Sequence, residues 1–324
     1  MTSMTELVLT RHNEMIDPVV HVWGWEIPVY LFLGGWVAGM MFLSGLFLWQ
    51  GRHRDRQCSC VMTPWLGLVL LSLGMLALFL DLEHKAYVWR LYTTFQWMSP
   101  MSWGSWILLL VWQWWRRHEG WRVEGQHVAA ALVGLAFVPQ YLWERPDVWH
   151  LRAHLVVLLP VLGVALGVYT GVLLSSLGAR PLWNSGALGV LFLASGVSAA
   201  AAFAHLVTHD LGERALTVRI DNVVLASELG ILALFLLGLL AGSAPQVEAA
   251  RLFLGGPYTA PFWVFVIGLG IVMPLIIQLL AVRHWIQHTP IAPIMVMAGG
   301  LVLRWVLVSA GQFSHWAHGA MRMH

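Results

Sequence analysis

Trp23-Gly24-Trp25-Glu26-Ile27-Pro28 leads into a long apolar run from Val29 to Trp49. A helix crosses the hydrocarbon core of a bilayer with about 20 apolar residues, and this run meets that length. Tryptophan favours the membrane interface, whereas an ionisable group at the rim of the hydrocarbon is costly and usually has a task. Glu26 therefore has two readings, a headgroup contact or a proton-handling group at the mouth of an intramembrane pocket.

The composition around this stretch supports the membrane reading. The chain has 324 residues, of which 59% are apolar and 10% charged, and its mean hydropathy is +0.71. No water-soluble globule of this size carries such a balance. The 20 tryptophans suit interfacial belts, and the 31 glycines suit close helix contacts in lipid. A transmembrane β-barrel would show alternating segments of roughly ten residues, and there are none. The net charge of +2 says nothing for nucleic acid, because the basic residues are scattered through short loops and form no stripe, and no nucleic-acid partner is expected. Cys58 and Cys60 form a lone C-x-C, too few ligands for an iron-sulfur cluster or a closed zinc site. Met1 to His21 is polar and lacks the apolar stretch of a signal peptide, so the first span is expected to direct insertion. No fixed-period repeat or low-complexity tract appears.

Hydropathy places nine spans, near 27–49, 63–82, 101–115, 127–144, 153–177, 185–206, 222–242, 261–283 and 290–312. The expected fold is an all-α integral membrane protein of about nine transmembrane helices packed as bundles. Residues 1–26 form an N-terminal extramembrane segment, 27–312 the polytopic domain and 313–324 a tail. Nine spans put the termini on opposite faces. On that count one face carries Arg52, Arg54, Arg56, Arg116, Arg117, Arg122, Arg180, Arg251 and Arg322, and the other about eight basic residues together with most of the Asp and Glu, so the basic counts are nearly level. The compact arginine clusters favour a cytoplasmic basic face and an N-terminus outside. Two acidic-face loops, Asp81 to Pro100 and His205 to Asp221, are long, and long loops in compact proteins are more often functional.

With spans alternating in direction, Glu26, Asp81, Gln140, Tyr141, His154, His205, Glu228 and Gln278 all fall toward the acidic face. Polar groups inside lipid must face a partner, a cavity or a ligand. Glu228 lies six residues into the seventh span and needs a cation, donors or a proton. Arg304, 14 residues into the ninth span, differs from it by about 12 Å in rise, so a direct pair is not expected; it belongs with Gln312 and His315. A b-type haem needs two imidazoles at matched depth, and only His154 and His205 share a face. Quinone-contacting or interfacial roles suit these histidines better.

Several stretches in order resemble the NrfD-like family, the polysulfide-reductase membrane subunits. They are Leu33-Gly34-Gly35-Trp36-Val37-Ala38-Gly39, Leu80-Asp81-Leu82-Glu83, Met98-Ser99-Pro100-Met101-Ser102-Trp103-Gly104, and Tyr169-Thr170-Gly171-Val172-Leu173-Leu174 running on to Ala179-Arg180-Pro181-Leu182-Trp183-Asn184-Ser185. After Leu-Asp-Leu the family commonly continues with a small or basic residue and Pro, where this chain has Glu83-His84-Lys85. The resemblance implies a membrane subunit free of haem and metal that binds a quinone, menaquinone or ubiquinone, in the bacterial cytoplasmic membrane. It also implies a docked ferredoxin-like, multi-cluster iron-sulfur subunit on the acidic face, expected to be periplasmic, and a molybdopterin or multihaem catalytic subunit beyond it. Reducing a quinone takes two electrons and two protons. Electrons come from the partner, and protons from His or buried carboxylates whose affinities can be tuned toward neutrality. The candidate quinone contacts are Glu26, His84, Arg90, Ser99, Tyr141, His154 and His205, with Glu26, Asp81 and Glu228 in proton exchange. The competing readings are a secondary transporter, for which Glu228 and Arg304 would suit ion coupling, and a haem-bearing cytochrome b-type anchor.

Overall fold

The computed structural model describes residues 23–50, 63–82, 85, 149–176, 180–208, 210–283 and 289–314. Among these residues the protein is helical, without strands. The elements are α1 (Glu26–Trp49), α2 (Thr63–Asp81), α3 (Trp149–Ser175), α4 (Ala187–Val207), α5 (Leu211–Leu240), the short α6 (Ala244–Arg251), a π-wound stretch (Pro261–Val272) that continues into α7 (Met273–Val282), and α8 (Ile291–Phe313). Among the described residues five helical stretches are long and apolar enough to cross a membrane: Glu26–Phe47, Ala187–Val207, Gly212–Leu240, Pro261–Val282 and Ile291–Phe313. The multi-span helical architecture is as the sequence implies. The spans expected at 101–115 and 127–144 lie outside the described residues.

Glycines and other small residues set how the helices meet, as expected where apolar surface alone gives no drive to associate in lipid. Gly45 of α1 packs on Pro160 of α3, while Gly163 of α3 packs on Ala38 and Phe42, and Gly34 on Thr170, so α1 and α3 run antiparallel. Gly35 and Gly39 of α1 meet Gly196 of α4 backbone to backbone. Together with the Leu31 and Phe192 carbonyls, bound by one arginine, these contacts make α1 and α4 parallel. Gln312 at the end of α8 binds both backbone groups of Trp23, its Oε1 accepting at 3.1 Å and its Nε2 donating at 3.0 Å. Arg304, eight residues earlier, reaches Leu31, so α8 runs antiparallel to α1.

That direction corrects the expectation that the termini lie on opposite faces. The start of α1 and the end of α8 share one face, here the Trp23 face, which requires an even number of crossings between them. Charges that follow the misjudged crossings, Arg180 and Arg251 among them, were therefore sorted to the wrong side. Arg180 donates to the Ser314 carbonyl at 3.2 Å, and Trp183 stacks on Trp23 with centroids 5.1 Å apart. The end of α5 joins the same face through Gln246, which reaches the Asn184 carbonyl.

The expected long loop from His205 to Asp221 is also corrected. Helix α4 ends at Val207 and α5 begins at Leu211, so Thr208 to Asp210 is the whole connection. Asp210 caps α5, its Oδ2 accepting from the Glu213 amide at 2.8 Å. Replacing Asp210 with Ala should cost about 1 kcal/mol, read as a lower unfolding midpoint of the purified protein. At 30 residues α5 is about 45 Å long, half again the hydrocarbon thickness, so its first turns extend past the lipid core opposite the Trp23 face.

Candidate functional site

Small residues of α4, Ser195-Gly196-Val197-Ser198 followed by four alanines, let α5 and α8 approach and leave two hydroxyls inside the bundle. On α5, Asp221 and Glu228 are seven residues apart, two helical turns, and so present both carboxylates to α4. Arg304 enters from α8. These residues are buried, with Arg304 at 0%, Asp221 at 1% and Glu228 at 3% exposure.

The network has two levels. At the deeper one, Arg304 donates through Nε to the Leu31 carbonyl at 3.3 Å, through Nη2 to the Phe192 carbonyl at 3.0 Å, and through Nη1 to Gly300 O at 2.8 Å and Ser195 Oγ at 2.9 Å. Its guanidinium also faces the Phe32 and Phe192 rings, 5.6 and 5.1 Å from their centroids. The Glu228 carboxylate lies close enough to be attracted by the Arg304 guanidinium, which does not donate to it. At the second level, Asp221 accepts from Ser198 Oγ at 2.5 Å and from Gln278 Nε2 at 2.6 Å. The two carboxylates repel each other. Farther along α5 come buried Thr217 and buried Glu213, the latter accepting from Thr208 Oγ1 at 3.0 Å. Polar groups thus form a ladder from the end of the bundle opposite the Trp23 face to near the middle of the membrane.

A second cluster lies at the Trp23 face. Asp81, at the end of α2, is close enough to Glu26, at the start of α1, for the two charges to repel. The register explains it: α1 and α2 are antiparallel, with Gly74 opposite Tyr30 and Leu33.

The structure separates residues that the sequence grouped at one depth. Glu26 and Asp81 come together. His205, buried near the end of α4, lies at the other end of the bundle, roughly 25–30 Å away in level, because α4 runs parallel to α1. His154 lies in the first turns of α3 at that same far end, because α3 is antiparallel to α1. Glu228 and Gln278 belong to the interior ladder and not to the Trp23 face. His84, Arg90, Ser99 and Tyr141 lie outside the described residues. The separation expected between Arg304 and Glu228 is also overturned. Helix α5 starts at Leu211, so Glu228 is about 25 Å from its start and Arg304 about 20 Å from the start of α8, a difference of one turn.

Asp221, Ser195 and Ser198 do not stand out in the sequence. Asp221 reads there as the last residue of a loop, and serines in an apolar helix carry no signal unless their neighbours are known. The seven-residue spacing from Asp221 to Glu228 was the available clue. Among the described residues no group of three or more His, Cys, Asp or Glu is placed to hold a metal ion.

Comparison with known proteins fits this architecture. The family model described as polysulphide reductase, NrfD, matches residues 11–315. Protein NrfD of Escherichia coli (strain K12) is 30% identical over 330 residues, covering 90% of this protein and 96% of the relative. The C subunit of the Wolinella succinogenes polysulfide reductase is 28% identical over 322 residues, covering 90% and 94%. A protein NrfD homolog of Haemophilus influenzae is 26% identical over 314 residues, covering 90% and 95%. With a match across nearly its whole length and a bundle of membrane-length helices, the protein belongs to the NrfD polysulphide reductase family of multi-span membrane proteins.

Proposed function

We propose that this protein is the quinone-reactive membrane subunit of a respiratory oxidoreductase, exchanging electrons between a docked iron-sulfur subunit and the membrane quinone pool. The observation that carries the reading is the pairing of Glu26 and Asp81 across α1 and α2 at the Trp23 face. Two carboxylates facing each other at a membrane rim are groups that can take and return a proton, which is what quinone chemistry requires. The quinone head sits at this mouth, and its apolar tail leaves between helices into lipid. The relatives, by name a polysulfide reductase subunit and NrfD proteins, support a partner-dependent redox role. The iron-sulfur subunit docks on the Trp23 face, with a molybdopterin or multihaem catalytic subunit beyond it.

Each quinone reduced takes two electrons from the partner and two protons through side groups of this subunit. The Asp221–Glu228 ladder supplies the interior part of that route, with Glu228 as the exchanging carboxylate. The corrected helix directions support one orientation. Among the described residues the end opposite the Trp23 face carries Arg152, Arg214, Arg219 and Arg283. The Trp23 face carries Lys85, Arg180 and Arg251 among the described residues. By the positive-inside rule the Trp23 face is periplasmic and the protein resides in a bacterial cytoplasmic membrane.

The test is quinone-linked turnover of the purified complex. Glu26→Gln should lower it by about 10²-fold, the lower range for loss of a positioned proton-transfer group, with the partner's activity toward an artificial dye intact. Unchanged quinone turnover removes Glu26 from the site. Solute transport by this subunit alone in liposomes, without a redox partner, would replace the redox reading with a transporter.

A further inference from the structure

Gln278 of α7 holds Asp221 of α5 with only one end of its amide. Its Nε2 donates to Asp221 Oδ2 at 2.6 Å, whereas its Oε1 is buried without a hydrogen-bond partner among the described residues. Leaving a buried acceptor unmade costs about 1–3 kcal/mol. Gln312 of α8 shows the opposite arrangement, with both ends of its amide held by the Trp23 backbone. Turning the Gln312 amide by half a revolution breaks two hydrogen bonds, and turning that of Gln278 breaks one. The turn of Gln278 also makes one, provided that Asp221 carries a proton. An ionised carboxylate only accepts, while a carboxyl has one O–H to donate and needs an acceptor. Oε1 is that acceptor, and the rotation that takes Nε2 away brings it to Oδ2.

We propose that Asp221 is a second proton-exchanging carboxylate on the ladder, with Gln278 as the positioning residue whose amide donates to the carboxylate and, once turned, accepts from the carboxyl. The inference rests on the reading of the ladder as a proton route. Loading adds one proton to Oδ2, and the amide turns to offer Oε1. Unloading returns that proton to the ladder and the amide turns back, so the pair ends as it began. Ser198 Oγ meanwhile stays on Oδ1, donating at 2.5 Å, and keeps the carboxyl group in place. Among the described residues no cation is bonded to Asp221, so hydrogen bonds alone hold its charge. The elements packed on α5 are α4, α6, α7 and the π-wound stretch. Ser198 faces Asp221 from α4 and Gln278 from α7, while Glu228 lies two turns along its own helix and Arg219 on the exposed side of it. His205 of α4 lies two turns from Ser198 toward the far end, and Glu248 and Arg251 of α6 lie at the Trp23 face. The π-wound stretch and α7 carry no titratable group before Arg283. Arg304 of α8 is held at the level of Glu228 by three backbone carbonyls.

Infrared difference spectroscopy of the intact complex, recorded on stepping the pH, reads both partners. The protonated carboxyl band that Asp221→Asn removes reports loading. Glutamine labelled with heavy carbon at its side-chain carbonyl identifies the amide band. That band should shift with the same pH midpoint as the carboxyl band, and the shift should vanish in Asp221→Asn and in Gln278→Leu. Because the labelled band is read in the unsubstituted complex and in the near-isosteric Asp221→Asn, the test survives poor folding of Gln278→Leu. Where it folds, Gln278→Leu should lower quinone-linked turnover about tenfold, less than loss of a group that itself transfers the proton, with the partner's dye activity intact. A titrating Asp221 band beside an unmoved glutamine band overturns the turning amide. Finding no carboxyl band that Asp221→Asn removes makes Asp221 a fixed ion and overturns the exchange. A glutamine shift that persists in Asp221→Asn belongs to another residue and overturns the assignment to Gln278. Normal quinone turnover in Asp221→Asn would instead count against the ladder as the route to the quinone, while the two bands still decide whether Asp221 and Gln278 move together.

Discussion

Arg304→Met should destabilise the protein by about 3–5 kcal/mol, the cost of leaving one partner of a buried charge pair alone. Arg304 is inaccessible to solvent and stitches α1, α4 and α8 together through four hydrogen bonds. Methionine fills much of the volume but leaves Glu228 without its cation, deep in a medium where an ionised carboxylate has no water to turn to. Lysine is no substitute, because a single ammonium with three donors cannot reproduce the planar fork or lie flat between two phenyl rings. Arg304→Lys should therefore fall close to Arg304→Met. The double variant Arg304→Met/Glu228→Gln removes both charges and should recover more than half of the loss. The measurement is tryptophan-fluorescence unfolding in detergent, with 20 tryptophans as reporters. Equal destabilisation in the single and double variants would mean that Arg304 acts through its backbone contacts and not through Glu228.

Gly39→Leu and Gly196→Leu should prevent stable accumulation of the protein in the membrane. A Cβ at Gly39 would run into the Gly196 carbonyl and lie 2.8 Å from the Val197 Cα, and a Cβ at Gly196 would run into the Gly35 carbonyl. The obstructing atoms are backbone, so nothing there is free to swing aside. Helices α1 and α4 would have to separate, which pulls apart the Leu31 and Phe192 carbonyls that Arg304 binds together. The cost is expected at or above the roughly 3 kcal/mol that marks severe overpacking. Gly230→Ala is the control, since nothing lies within 4 Å of its added Cβ. It should accumulate normally. Immunoblots of membranes, together with the monodisperse fraction after extraction, measure the difference; normal levels of the leucine variants would show that α1 and α4 tolerate a wider spacing.

Much of the fold was legible because lipid imposes one demand on every span, a long apolar helix with its backbone bonds satisfied internally. That demand made α1, α4 and α8 readable to within two residues of their observed bounds. It failed for α5, because hydropathy measures where lipid would accept a helix and not where the helix begins. Glu213, Arg214, Arg219 and Asp221 look like loop residues, yet they occupy the first turns of a continuous helix. Glu26 and Asp81 were readable as a pair once both were placed at the same rim. The pairing of Glu228 with Arg304 was not, since an error of eleven residues in one helix start displaced the apparent depth by about 16 Å.

By itself the sequence determined that this is a helical membrane protein with costly carboxylates inside it, and its ordered motifs carried the family, because composition and span length follow directly from transfer free energy. Only the tertiary structure decided which faces those groups share. Helix direction depends on the parity of all preceding crossings, so one misjudged span inverts every later assignment. A single side group seated between helices, Gln312 on Trp23, fixes that parity. It left Glu26 with Asp81 at the Trp23 face, moved His205 to the far end, and brought Arg304 to within one turn of the level of Glu228.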